Sequence, residues 1–142
     1  MLKGIDYPGI TVVYLCHDGQ GNYVLNKRSK NCRDEHGKWD CDGEAVEFGE
    51  TRTTTLRRGV LTEYGTDIIS FEELGCRDVL REEKGVKTHW IAFDYLVLVD
   101  REKVINGEPD KFDEIGWFTL DNFPQPRHSE FPRFLANYAD KI

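Results

Sequence analysis

Apolar residues in the first part of the chain occur in short runs that are separated by turn-forming residues. Residues 10–16 form a β-branched and aromatic run, and a second run begins at 23–25. Asp18 and Gly19 open the polar stretch between the two runs, and such residues favour a tight reversal of the chain. The pattern therefore predicts a β-hairpin.

Residues 29–40 are mostly polar and show no hydrophobic period, which is typical of a surface loop. Trp39, near the end of this stretch, is expected to fold back onto the core. A weak alternation at 44–48 follows and stops at Gly49. Loops of this kind often carry function, so this region is a candidate for part of a site.

A helix is predicted from Thr51, a suitable N-cap, to about residue 64, with Gly65 as its stop. Its intrinsic propensity is poor. Residues 53–55 are three β-branched threonines, and Gly59 in a helix interior costs about 1 kcal/mol relative to alanine. Packing against the rest of the protein must therefore hold this helix in place.

The remaining pattern predicts three strands and a second helix. The strands are expected at 67–76, 88–99 and 114–119, and the helix at about 129–139. Strands that are interrupted by one helix and closed by another indicate an α/β layered domain with a mixed sheet between the helices. The length suits one domain over residues 1–142.

Composition and charge narrow the function classes. With 39% hydrophobic and 32% charged residues the chain has enough apolar material for a core. No apolar run approaches the roughly 20 residues that cross a bilayer, and Lys3 and Asp6 interrupt the place of a signal peptide. We therefore predict a cytoplasmic protein that has no membrane partner.

The net charge of -7 argues against bulk nucleic-acid binding, which depends on lysine and arginine to neutralise phosphates. It also restricts any enzyme hypothesis. An acidic protein that handles an anionic phosphate substrate needs a divalent cation, or grouped arginines, to offset the repulsion.

The stretch "GEAVEFGETRTTTLRRGVLTEYG" at 43–65 carries a recognisable motif. It resembles the signature of the Nudix hydrolase family, G-x5-E-x7-R-E-U-x-E-E-x-G-U, in which U is a bulky aliphatic residue. The spacing fits without a gap. The positions that match the signature are Glu50, Arg58, Val60, Glu63 and Gly65. The positions that depart from it are Glu44, Gly59, Thr62 and Thr66.

The resemblance extends beyond the signature, over roughly residues 10–124. The segment "GKWDCDGEAVEFGE" is similar to the family's lead-in, and "EPDKFDEIGWFTLDNFP" at 108–124 is similar to a later family segment. A fixed spacing over most of the chain rarely arises by chance. The resemblance implies a Nudix-type α/β/α sandwich with a mixed β-sheet between helices.

The resemblance also implies a metal cofactor, Mg²⁺ or Mn²⁺. Positions 59, 62 and 63 lie on one helix face, where family members hold the cation with carboxylates. Here Glu63 alone remains on that face. The resemblance implies that Glu63 and Glu50 are catalytic residues and metal ligands, and Glu47 on the lead-in loop is a further candidate ligand.

Three other residues receive predictions with open alternatives. Arg58 is expected to pair with Glu50 and to fix the loop to the helix, in preference to a direct catalytic role. Arg28 is a candidate for binding the substrate phosphates, or else a strand charge that deters aggregation. Trp117 is a candidate for stacking a nucleobase, although a strand tryptophan more often belongs to the core.

The function implied by the resemblance is a Nudix-type pyrophosphohydrolase that acts on a nucleoside diphosphate linked to another moiety, weakened or altered by a degenerate metal site. The alternative is a catalytically inactive nucleotide-binding, sensing or scaffold protein, and the substitutions at 59 and 62 could also have been introduced to trap a substrate. Restoring Glu at Gly59 and Thr62 is predicted to raise Mg²⁺-dependent turnover. The partner is a nucleotide-type small molecule, and the apolar strand at 88–99 serves either the core or a homodimer.

Overall fold

The computed structural model describes all 142 residues and contains seven strands and two helices. The strands are β1 (Gly9–His17), β2 (Tyr23–Arg28), β3 (Trp39–Asp40), β4 (Asp42–Ala45), β5 (Ser70–Glu83), β6 (Val86–Leu98) and β7 (Phe112–Phe118). The helices are α1 (Arg52–Tyr64) and α2 (Phe131–Asn137). Neither helix has the length and apolar character needed to cross a membrane.

All seven strands form one sheet with the order β3-β2-β1-β6-β5, to which β4 is added beside β1 and β7 beside β2. β1 and β6 are parallel, and every other pair is antiparallel. The sheet is therefore mixed, as predicted. The antiparallel pairing of β1 with β2 confirms the predicted hairpin.

The core has two layers, one on each side of the sheet. On one side Leu56, Val60 and Tyr64 of α1 pack against buried residues of β1 and β6. On the other side Phe131 and Phe134 of α2 pack against β1 and β2. The α/β/α sandwich is confirmed by this arrangement.

The hairpin of β5 and β6 is longer than predicted. β5 runs to Glu83 instead of 76, and Lys84 and Gly85, both with positive φ, turn the chain directly into β6. The polar residues of this extension gave no strand pattern, but pairing with β6 along its length supplies their backbone hydrogen bonds. β6 lies between β1 and β5, and its residues Ala92, Tyr95 and Val97 are buried in the core. The homodimer stays a prediction.

The ends of α1 follow the predicted signals. The Oγ1 atom of Thr51 accepts a hydrogen bond from the Thr54 amide at 3.1 Å, and Gly65 has the left-handed φ of 69° that closes the helix. The last turn receives further support because the amides of Ile105 and Gly107 donate to the carbonyls of Tyr64 and Glu63. The turn that carries Glu63 is thus fixed by a distant segment of the chain.

Candidate active site

A cavity of about 310 Å³ is lined by residues of α1, of α2 and of the six strands β1 to β6. Glu63 reaches it from α1, and Phe131 and Phe134 reach it from α2. Most of the ionisable residues in its wall come from strands and loops. They are Arg28, Arg33, Asp40, Asp42, Glu44, Arg77, Arg81, Lys111, His128 and Glu130.

Three carboxylates in this wall, Asp42, Glu44 and Glu63, form what we call the acidic group. Glu63 is 6% exposed, and its carboxyl group is close enough to that of Asp42 for each to shift the pKa of the other. Burial raises the pKa of Glu63, while burial and the carboxyl of Glu63 together raise the pKa of Asp42 well above its usual range. Two carboxyl groups this close share a proton or bind a cation.

Two oxygens beside the acidic group lack hydrogen-bond partners. The Oδ1 atom of Asp42 accepts a hydrogen bond from the Gly43 amide at 2.8 Å, but Oδ2 is buried and receives none. The hydroxyl of Tyr14 is also buried without a partner, and Tyr14 pairs with Asp42 across β1 and β4. Buried polar atoms are nearly always satisfied, so these two oxygens mark a place where a polar ligand or ion is expected.

Gly59 lies against the same group. A Cβ atom at this position would come 2.7 Å from the Tyr14 hydroxyl oxygen and 3.1 Å from Cβ of Glu44. Space at position 59 is therefore already taken by Tyr14 and Glu44. Thr62, by contrast, is exposed on α1.

The donor set fits a divalent cation of the kind the sequence predicts. Mg²⁺ and Mn²⁺ favour hard oxygen ligands, and the acidic group offers carboxylates from two elements together with the unpaired Oδ2 of Asp42. Lys111 also lies near enough to Glu63 to act on its charge. Glu63 and Asp42 are the residues that would hold the ion.

Glu50 and Arg58 form a bidentate ion pair outside the cavity wall. Arg58 donates from Nε to Oε2 of Glu50 at 3.0 Å and from Nη2 to Oε1 at 2.9 Å. These bonds lower the pKa of Glu50 to about 2. A carboxylate with so low a pKa is a weak base near neutral pH, so this geometry favours a positioning role for Glu50.

Glu47 also lies outside the cavity wall. Its exposed side chain pairs with Lys3, and its amide donates to Oε1 of Glu50 at 3.0 Å. The structure thus brings together Glu47, Glu50 and Arg58, and it places Glu63 apart from them among the acidic group.

Arg28 lines the cavity and is engaged by the loop that follows β2. Its Nη2 atom lies 3.0 Å from Oδ1 of Asp34, and its Nε atom donates to the Asp34 carbonyl at 3.1 Å. Arg81 of β5 bridges Asp34 at 3.3 Å and Glu35 at 2.6 Å. His128 completes this charged network, since it lies 2.8 Å from Glu35 through Nε2.

Asp34, Glu35 and His128 come close enough together to suggest a second metal site. Arg28 and Arg81 already bind the two carboxylates, however, and their guanidinium groups would repel a cation. We therefore interpret this network as a set of ion pairs that holds the loop to β5 and to the segment before α2.

Burial sets the ionisation of two residues in this region. It lowers the pKa of His128 to about 4, so the imidazole is neutral near pH 7. It raises the pKa of Asp40 to about 7. The Nδ1 atom of His128 accepts from the Glu130 amide at 3.1 Å, so Nε2 carries the proton and donates to Glu35.

Trp117 is absent from the cavity wall. It packs against the core beneath α1, and the guanidinium of Arg101 covers its ring at 4.8 Å. Trp90 lines the cavity instead, with Val79 and Ala92 beside it in the wall. The position of Trp117 thus gives no geometric support to base stacking, whereas Trp90 is partly exposed in the cavity wall.

Sequence reasoning missed Asp42, Trp90 and Lys111 as site residues. A signal for Asp42 was present, because Asp42 and Glu44 are acids at alternate positions of the strand where the signature begins. Lys111 stands in the "EPDK" segment that carried part of the resemblance. Trp90 had no local signal, since its place in the wall depends on the parallel pairing of β6 with β1.

The fold and the site define a class: α/β/α domains in which a mid-chain helix brings an acid to a charged cavity beside a mixed sheet. The family model described as NUDIX domain matches residues 7–138. The chain therefore belongs to the NUDIX family.

Solved structures of this family are similar to the chain over nearly its whole length. A MutT NUDIX hydrolase from Burkholderia pseudomallei is 26% identical with a TM-score of 0.81, covering 93% of this chain and 98% of its own. A MutT protein from Methanosarcina mazei Go1 is 26% identical with a TM-score of 0.72, covering 96% and 97%. The NUDIX domain of NrtR from Shewanella oneidensis, solved with ADP ribose, is 15% identical with a TM-score of 0.73, covering 96% and 89%. No curated protein matches the sequence.

Proposed function

We propose that this protein is a metal-dependent pyrophosphohydrolase that acts on a nucleoside diphosphate linked to another moiety. The observation that carries the proposal is the position of Glu63, a signature residue that reaches the cavity wall beside Asp42. Basic side chains in the same wall suit a diphosphate. Lys111 and Arg33 are both exposed there, while Arg28 and Arg81 are held by acids.

A bound Mg²⁺ or Mn²⁺ would neutralise diphosphate charge and lower the pKa of a water molecule. In the reaction the water oxygen forms a bond to phosphorus while the bridging phosphorus–oxygen bond breaks, and the bridging oxygen leaves with the electron pair on the second phosphate. The water proton passes to solvent, which reaches the acidic group at Glu44. Lys111 stabilises the charge on the phosphates.

The apolar part of the cavity supports a nucleotide as the ligand. Trp90, which is partly exposed in the cavity wall, is the side chain that would stack on a nucleobase. A relative of the same fold was solved with ADP ribose, which fits this ligand class.

A second candidate function is nucleotide binding without turnover. The filled space at Gly59 favours it, because α1 cannot present a carboxylate there while Tyr14 and Glu44 keep their positions. Asp42 and Glu63 could then share a proton in place of a metal ion.

Hydrolysis of a panel of nucleotides and sugar nucleotides, with Mg²⁺ or Mn²⁺ and with chelator, separates the two candidates. We expect metal-dependent turnover that Glu63→Gln reduces at least about a hundredfold, with Glu72→Gln on the exposed part of β5 as the matched control. Ligand-induced thermal stabilisation without any turnover would reject hydrolysis in favour of binding.

A further inference from the structure

Strand β4 turns two carboxylates towards α1. Asp42 and Glu44 are two residues apart on this strand, so they face the same side of the sheet. Their partners on β1 are Tyr14 and Val12, both of which belong to the core that packs against α1. β4 therefore directs two carboxylates towards α1, the helix that has Gly59 and Thr62 at two of the signature's glutamate positions.

Glu44 and Gly59 show an exchange of residue types between strand and helix. The signature has glycine at position 44 and glutamate at position 59, and this chain has the reverse. The two positions adjoin in space, since a Cβ atom at 59 would lie 3.1 Å from Cβ of Glu44. Glu44 thus brings a carboxylate into the region that a side chain at 59 would enter.

Arg58 holds Glu44 in place. Its Nη1 atom lies 3.1 Å from Oε1 of Glu44, while its other nitrogens bind Glu50. The same arginine therefore fixes both the loop before α1 and the carboxylate on β4. A fixed carboxylate loses less side-chain entropy when it binds an ion.

Asp42 supplies the second acid, and one of its own oxygens lacks a hydrogen-bond partner. Its Oδ2 atom is buried without a donor and its carboxyl adjoins that of Glu63. Tyr14 is fully buried, and its unpaired hydroxyl lies beside Gly59 and Glu44. A cation between Asp42 and Glu63 would satisfy oxygens that the protein alone leaves without partners.

We propose that β4 supplies the acids that α1 lacks at positions 59 and 62, with Asp42 and Glu44 in place of the two missing carboxylates. Asp42 and Glu63 bind the divalent cation directly, and Glu44 completes the acidic group under the control of Arg58. This inference rests on the proposed function, because it concerns the same cavity.

Binding of Mn²⁺ alone, measured by electron paramagnetic resonance and by thermal shift, tests the inference without any turnover. We expect Asp42→Asn and Glu44→Gln each to weaken Mn²⁺ binding, Asp42→Asn by at least about tenfold. Glu72→Gln should bind as the wild type does. Asp42→Asn is expected to fold, because it removes charge repulsion with Glu63 and keeps an acceptor for the Gly43 amide.

The outcomes separate this inference from the proposed function. If Glu63→Gln loses Mn²⁺ while Asp42→Asn and Glu44→Gln bind it normally, the role of β4 is wrong and a metal site remains. If the wild type itself fails to bind Mn²⁺ at millimolar concentration, both the β4 ligands and metal-dependent hydrolysis are rejected.

Discussion

At Gly59 the space that a glutamate side chain of the signature would need is filled by other side chains. From the sequence alone, glycine and Thr62 look like equivalent losses of a carboxylate. In the structure the two positions differ, since Gly59 is buried against Tyr14 and Glu44 while Thr62 is exposed. The expectation that restoring both acids raises turnover therefore needs revision at position 59.

Gly59→Glu alone is expected to destabilise the protein by about 1–3 kcal/mol, because its side chain would displace Tyr14 and Glu44. Thr62→Glu, the matched change on the exposed face, should alter the free energy of unfolding by less than about 0.5 kcal/mol. Urea denaturation measures both changes.

Combining Gly59→Glu with Glu44→Gly and Tyr14→Phe should recover part of the lost stability, because both contacts at position 59 are relieved. Equal stability losses for Gly59→Glu and Thr62→Glu would contradict the structural distinction between the two positions.

At the scale of the elements, the predictions succeeded where local signals decide the structure. The bounds of α1 could be predicted because its cap at Thr51 and its stop at Gly65 act within a few residues. The length of β5 could not, because its polar end is a strand only through pairing with β6. The same distinction explains why the site was predicted only in part. Glu63 lies in a motif that the sequence shows directly. Asp42 gains its role only because the fold brings it close to Glu63, 21 positions away in the chain.

Thr51→Ala should destabilise the protein by about 1 kcal/mol, since it removes the acceptor for the Thr54 amide at the start of α1. Thr53→Ala is the matched control, because Thr53 is exposed within the helix and alanine has the higher helix propensity. Chemical denaturation of the two variants measures the difference. An equal effect of both changes would show that the cap does not contribute.

For the molecule as a whole, the charged network of Arg28, Asp34, Glu35, Arg81 and His128 joins regions that are far apart in the chain. It connects β2, the loop after it, β5 and the segment before α2. Although burial opposes ionisation of Glu35, hydrogen bonds from Ser129 and the nearby His128 help to lower its pKa to about 2. The stability of the α2 layer should therefore depend on pH.

Between pH 6.5 and about 4 the unfolded chain binds a proton at His128 that the folded protein does not, because burial lowers the folded pKa to about 4. The contribution of His128 to the free energy of unfolding should therefore fall as the pH falls through this window, by on the order of 3 kcal/mol. Asp40, whose pKa is raised to about 7, contributes in the opposite direction over the same window, so the His128 term is measured as the difference between the wild type and a His128 variant. Ionised Glu35 adds a further loss between about pH 4.5 and 2. Denaturation at a series of pH values measures the slope.

His128→Gln should reduce the slope between pH 6.5 and 4 by about one proton. His36→Gln, at an exposed histidine of the loop after β2, is the control and should keep the wild-type profile. A slope that is unchanged in the His128 variant would remove this residue as the source of the acid sensitivity.

The packing of Trp90 connects the start of the chain to the wall of the cavity. Gly4 and Gly9 lie so close to the indole that a methyl group on either would overlap it, and the Gly4 carbonyl accepts a hydrogen bond from the His89 amide at 2.8 Å. A ligand that fixes Trp90 should therefore also order the first nine residues and slow their proteolysis. By thermodynamic reciprocity, a substitution or fusion that disturbs these residues should weaken ligand affinity even though it touches no ligand.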